Sequence, residues 1–317
     1  MLIGRSRVFV FSIAAAILCS GMASGQDYPI KPIRIITGSV GGGNDFTSRQ
    51  IAQGISGALG QQVIVENRSS ALVAETVARA PADGYTLMVQ GGTVWLTPLL
   101  QKVNYEMSQF APLSLISRDI FILAAHPSVP AKSVRELIDL AKAQPGVLNY
   151  STGTPGGSAT LAGALLRSMA GINVVAIPYA GNGPILTAVM SGEVHYTFLD
   201  PGMVLPHVKS GRLRALAVTS ATRSALAPDL PPVAAALPGY EAVGMTVMFV
   251  PAKTPAALIE RLNQEIVRFL SGPQVRERFL KAGLEVVASS ADELAATLRA
   301  DTAKWARVIK DAGIKVN

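Results

Sequence analysis

The residues of this sequence whose types and spacing suit a binding site fall into five groups. They are Gly41, Gly42, Gly43 and Asn44; Gly92 and Thr93; Ser151, Thr152 and Ser158; Tyr179, Gly181, Asn182 and Gly183; and Asp200. Each group follows a short apolar run and precedes a helical pattern, in the stretches Ile33 to Asp45, Leu87 to Pro98, Leu148 to Leu165, Val174 to Ile185 and Val194 to Leu205. A loop that feeds a helix N-terminus presents backbone N–H groups and hydroxyls, and the helix dipole adds partial positive charge there. Several such loops around one crevice would hold a small anion. None of these loops carries a catalytic group, so the chemistry they suit is binding.

Glycines 41 to 43 remove side-chain bulk, which lets backbone approach a ligand, and Asn44 can cap the helix behind them. A tight turn needing positive φ would use the same residues. The run from Ser151 to Ser158 is denser in donors, with Ser158 placed to cap a helix, and it lacks the lysine of a phosphate-binding P-loop. The Tyr179 to Pro184 loop lacks the glycine spacing of a dinucleotide fingerprint, so no cofactor is implied. Trp95, beside Gly92 and Thr93, fits core packing better than the roof of a pocket. Asp200 reads equally as an N-cap and as a cleft carboxylate that accepts from a ligand amine or hydroxyl.

Enzyme chemistry finds little support. A serine hydrolase of nucleophile-elbow type needs a G-x-S-x-G pentad with a histidine partner, and no such pentad occurs. His126, His195 and His207 lack metal-ligand spacing, so neither a catalytic nor a metal residue is assigned.

The elements that must carry these loops alternate in a manner that predicts an α/β fold. Ile33 to Ile36, Val63 to Val65 and Tyr85 to Val89 read as strands. Ile51, Ile55 and Leu59 repeat down a helix stopping near Gly60. Ser133 with Glu136 and Ser290 with Glu293 have capping-box form, and Thr254-Pro255 opens another helix with a cap and a first-turn proline. Leu113 to His126 and Ala242 to Val250 are extended with no helix between strand-like pieces. They suit two crossings between lobes, one lobe formed by residues 26–119 and 244–317 and the other by 120–243.

Arg5 and Arg7, the apolar run Val8 to Leu18 and the small residues to Gly25 read as an export signal over residues 1–25, cleaved after Gly25 or, as the second choice, after Ala23. Cys19, the one cysteine of the 317 residues, lies inside that segment, so the exported chain would fold by its core rather than by disulfides. With 49% hydrophobic residues it has the material to do so. A net charge of +7 with no long basic run and 6% aromatics argues against nucleic acid as a partner.

Several segments together resemble one family, the tripartite tricarboxylate transporter substrate-binding proteins, or Bug receptors. They are Tyr28-Pro29 to Ile36 with the glycines after it, Val65-Glu66-Asn67-Arg68, Asp83 to Leu87, Leu148-Asn149-Tyr150, Pro178-Tyr179, Pro206 to Thr219, Leu237 to Tyr240 and Lys304-Trp305. The resemblance implies a two-lobed periplasmic-binding-protein fold of type II, the Venus flytrap, with two crossovers. It implies a monomeric periplasmic receptor that is not an enzyme and captures a small organic carboxylate in the interlobe cleft. Permease subunits of a tripartite tricarboxylate-type transporter would then receive the acid. Carried over by position, the five groups above would be the ligand contacts, with Asp200 as the selectivity carboxylate. A receptor that signals through a sensor protein, and an exported hydrolase using the Ser151 to Ser158 loop, are the alternatives.

Overall fold

The apolar run at Ile33 forms β1 (Ile33–Thr37), and Ile51, Ile55 and Leu59 line the buried side of α1 (Gly43–Leu59). Helix α1 stops at Gly60, whose φ of 67° is the left-handed cap conformation that glycine adopts without strain. The structure, a computed structural model, describes residues 28–153 and 156–311. The expected export signal, its cleavage point and Cys19 lie outside the described residues.

The chain continues through β2 (Val63–Asn67), α2 (Ser70–Ala78), β3 (Thr86–Gln90), the short α3 (Thr93–Leu96) and β4 (Phe110–Asp119). It then forms β5 (Ile122–Ala125), α4 (Val134–Ala143), β6 (Asn149–Thr152), α5 (Ser158–Ala170), β7 (Val175–Pro178), α6 (Asn182–Ser191), β8 (Tyr196–Leu199), α7 (Pro201–Lys209) and β9 (Arg214–Val218). The last stretch is β10 (Gly244–Pro251), α8 (Ala256–Leu270), α9 (Pro273–Lys281), β11 (Leu284–Val286) and α10 (Ala291–Asp311).

Two mixed sheets result, ordered β11-β4-β10-β3-β1-β2 and β7-β6-β8-β5-β9. Strands linked through helices pair in parallel, as β1 does with β2 and β3, and β6 with β7 and β8. The strands on either side of a change of sheet pair antiparallel. The chain leaves the first sheet after Asp119 and returns to it at Gly244, and these two residues are register partners where β4 meets β10. Both extended segments read from the sequence are thus strands placed where the chain changes sheet.

The capping boxes form. The Ser133 hydroxyl accepts from the Glu136 N–H at 3.2 Å, and Ser290 and Glu293 bond reciprocally at 2.8 and 3.2 Å. Thr254 departs from expectation, because its hydroxyl donates to the Pro251 carbonyl at 2.7 Å and leaves α8 without a side-chain cap. Helix α9 and strand β11 have no counterpart in the pattern read from the sequence. β11 has three residues and owes its existence to pairing with β4, a nonlocal cause that local pattern does not carry.

Candidate ligand-binding site

All five strand–loop–helix units end at one cavity of about 740 Å³ between the two sheets. The first sheet supplies Gly41 to Asn44 and Gln90 to Thr93, and the second supplies Ser151, Ser158, Asn182 and Asp200. Asp119 and Phe121 from one crossing, and Gly244, Met245 and Thr246 from the other, close the wall.

On the first side, Asp45 folds the glycine loop back on itself. Its carboxylate accepts from the Gly41 N–H at 2.9 Å, from Asn67 Nδ2 at 2.8 Å and from Arg49 Nε at 3.1 Å. Burial alone would raise this carboxyl, but bonds from Arg49, Gly41 and Asn67 hold it below the usual carboxylate range. Asn44 does not cap α1, whose N-cap is Gly42. Its Nδ2 instead donates to Gln90 Oε1 at 2.8 Å and tethers the loop to the end of β3. Gln90 is only 2% exposed, and its Nε2 has no hydrogen-bond partner among the described residues.

On the second side, Ser151 donates to Thr197 Oγ1 at 2.7 Å, which fixes β6 against β8. The Thr160 hydroxyl accepts from the Gly153 N–H at 2.9 Å and holds the loop against the first turn of α5. Ser158 lies in that turn, and Gly157, not Ser158, is the N-cap. The opening N–H groups of α1, α5 and α6 have no carbonyl four residues earlier within their helices, so they are free to meet an anion. Asp200 precedes α7 without capping it by its side chain; its Oδ2 accepts from Asn182 Nδ2 at 3.3 Å, and it lines the cavity.

Four expected contacts stand outside the wall. Side chains alternate along a strand, so Ser151 and Thr152 cannot face the same space, and the cavity takes Ser151. The Tyr179 phenol donates to Glu193 Oε1 at 2.7 Å, which turns it away. Gly181, at φ 117°, makes the turn into α6, and Gly183 sits one residue beyond Asn182, rotated off the cavity side. Trp95 is core, 2% exposed, with Nε1 donating to Asp301 Oδ2 at 2.8 Å.

Sequence reasoning passed over Gln90 and Asp119. Asp119 accepts from Ser117 Oγ at 3.0 Å and Thr246 Oγ1 at 3.2 Å. Burial, then the neighbouring charge of Asp200, push its carboxyl up to about 7 against those two bonds. Burial likewise raises Asp200. Among the described residues no lysine, arginine or histidine lines the cavity.

The folded state therefore holds a proton on Asp119 that the unfolded chain has already released, so stability falls as pH rises towards and through about 7. Asp119→Asn is expected to stabilise the ligand-free protein at about pH 8 by about 1–3 kcal/mol, with the gain shrinking towards about pH 4. Melting temperatures of both proteins across that range check this. A difference independent of pH would show that Asp119 carries no raised carboxyl.

The profile of the family described as "Tripartite tricarboxylate transporter family receptor" matches residues 47–314. The chain belongs to that family. Rpa4515 of R. palustris, solved with adipate, is 30% identical with a TM-score of 0.83, the match covering 91% of this chain and 99% of that one. The periplasmic binding protein BugD is 27% identical at a TM-score of 0.79, covering 91% and 99%. MatC of Rhodopseudomonas palustris, solved with malate, is 26% identical at 0.78, covering 89% and 100%. The fold is the two-lobed α/β periplasmic-binding-protein fold. Among the described residues no helix is long and apolar enough to cross a membrane.

In this receptor the two sides touch around the cavity. A Cβ placed on Gly92 would come within 3.1 Å of Ser158 Oγ. One on Gly156 would come within 2.8 Å of Thr97 Oγ1, 3.0 Å of its backbone nitrogen and 3.2 Å of its Cα. Ser224 Oγ donates to Glu285 Oε1 at 2.5 Å, and Lys304 Nζ to the Glu241 carbonyl at 2.8 Å. The two sides therefore meet both beside the cavity, at Gly92 and Gly156, and near the crossings.

Proposed function

We propose that this protein is a periplasmic, non-enzymatic receptor that closes two lobes, residues 26–119 with 244–317 and residues 120–243, on a small organic carboxylate and delivers it to the permease of a tripartite tricarboxylate-type transporter. The observation that carries the reading is the convergence of five donor-bearing loops, with helix N-termini among them, on one cavity between the sheets. Its volume leaves ample room for an acid of adipate or malate size, and those are the acids held by two solved relatives. In this reading the ligand contacts are the Gly41 to Asn44 loop, Gly92, Thr93, Ser151, Ser158, Asn182 and Asp200, with Gln90 beside them in the wall.

Hydrogen bonds to a charged oxygen contribute roughly 1.5–3 kcal/mol each, so a few of them support binding near ~1 µM after ordering costs. Hydrolase chemistry is disfavoured by where the histidines stand. His126 is bonded to Ser128 at 2.7 Å and His195 to Asn149 at 2.6 Å, and none of the three histidines lines the cavity.

A thermal-shift panel of mono- and dicarboxylates of up to about six carbons tests the reading. At least one acid is expected to raise the melting temperature, with the shift lost in Gln90→Leu, which removes the orphan donor. Wild-type protein that melts cooperatively and responds to none of the panel would contradict it.

A further inference from the structure

We infer that the ligand is an amino-carboxylate, its protonated nitrogen held between Asp119 and Asp200 and its carboxylate held by Gln90 Nε2 with the glycine-loop and helix N-terminal N–H groups. This inference deepens the carboxylate-receptor reading and rests on it. Three observations point to it. Two carboxylates enter one cavity from different parts of the fold, Asp119 where the chain leaves the first sheet and Asp200 where β8 feeds α7. Among the described residues the wall offers them no cationic side chain. Gln90 also lines the cavity, and its buried amide nitrogen has no partner among the described residues.

A simple dicarboxylate would satisfy the second need and worsen the first, because it adds like charge beside two acids in a poorly solvated space. A hydroxyl would bond to one carboxylate without offsetting either charge. An ammonium does both, donating up to three hydrogen bonds while offsetting one of the two negative charges. The neighbouring groups leave Asp119 open to that role. Ser117 and Thr246 each donate one bond to it, and Gly244 lacks a side chain where a Cβ would stand 3.3 Å from Asp119 Oδ2. Of the charged residues beside it, Arg118 on β4 is exposed, and Glu285 on β11 is engaged by Ser224. Asp200, bonded to Asn182, is the other titrating group of the wall, and its charge raises Asp119.

The two kinds of ligand leave opposite pH signatures. A bound ammonium keeps Asp119 ionised, so affinity falls as pH drops from about 7.5 to about 5.5 and the free protein takes up a proton. A ligand without nitrogen needs Asp119 protonated, so its affinity rises over the same span.

Calorimetric titration of the full chain with succinate, L-malate and L-aspartate, and with adipate and 2-aminoadipate, decides between them. The amino member of a series is expected to bind at least about tenfold more tightly than its nitrogen-free analogue, a step each charge-assisted pair can supply. Its affinity should fall with falling pH, and Asp119→Asn and Asp200→Asn should each remove the advantage of the amino member over its nitrogen-free analogue. Nitrogen-free acids that bind as tightly or more tightly, and tighten as pH falls, would overturn the inference and leave the carboxylate receptor standing. An amino preference untouched by either substitution would place the nitrogen elsewhere and also overturn it. If no acid of either kind binds, the receptor reading itself fails. The pH slope is measured on the unsubstituted protein, so the test holds even if a variant does not fold.

Discussion

Gly156→Val is expected to weaken acid binding by about 10–100-fold, because it wedges the closed cleft open. Gly156 precedes α5 and sits against Thr97, which follows α3 on the other side of the cavity. Its added Cβ would meet backbone atoms of Thr97 at 3.0 and 3.2 Å, and backbone cannot rotate aside as a side-chain tip can. Moving the two sides apart relieves the clash, so the cost falls on the closed, ligand-holding form. Gly156 also has a φ of 75°, which by itself strains any L residue by about 1 kcal/mol. Gly171→Ala separates the two effects, since Gly171 shares a positive φ of 60° but has nothing within 4 Å of its missing Cβ. It should lose a little stability and keep its affinity. Calorimetry on both variants checks the claim, and equal affinity losses would refute the wedge.

The second large effect is on folding. Gly163 lies mid-way along α5, and a Cβ there would run into the ring of Tyr150. Tyr150 is 2% exposed and stacks on Tyr196 at 5.3 Å with rings nearly parallel, so it has no room to retreat. Gly163→Val should destabilise by about 2–4 kcal/mol, or roughly 5–15 °C in melting temperature. Tyr150→Leu in the same chain removes the ring and should recover part of that loss, giving a coupling energy of about 1 kcal/mol or more. Additive losses would mean that Gly163 and Tyr150 do not press on one another.

Much of the arrangement is legible before any coordinates, for reasons that are local. An apolar run such as Ile33 to Ile36, a glycine-rich loop and a helix stripe at four-residue spacing are all written within about 30 residues, and each of the five such units leads to the cavity. The Ser133 and Ser290 boxes are equally local, and they form.

What escapes is nonlocal. Gln90 is a polar residue closing the run Leu87-Met88-Val89, unremarkable until Asn44, 46 positions earlier, occupies its oxygen and its nitrogen is left buried without a partner among the described residues. Asp119 gains its role by lying opposite Gly244 across β4 and β10, a pairing that no window of sequence contains. Both carried a usable signal, since each is a polar side chain at the end of a buried strand beside a glycine loop or a crossing. Strand alternation by itself puts Thr152 on the face opposite Ser151. The turn of Tyr179 towards Glu193 depends on where α6 ends, which no local pattern carries.

The central claim is that an acid lies between the sheets and is held by uncharged donors. A crystal structure grown with the tightest-binding acid of the panel tests it most directly. It should show a carboxylate within hydrogen-bond distance of Gln90 Nε2 and of first-turn N–H groups around the cavity. An acid bound on an outer face, or inside the cavity with its carboxylate turned away from these donors, would contradict the account.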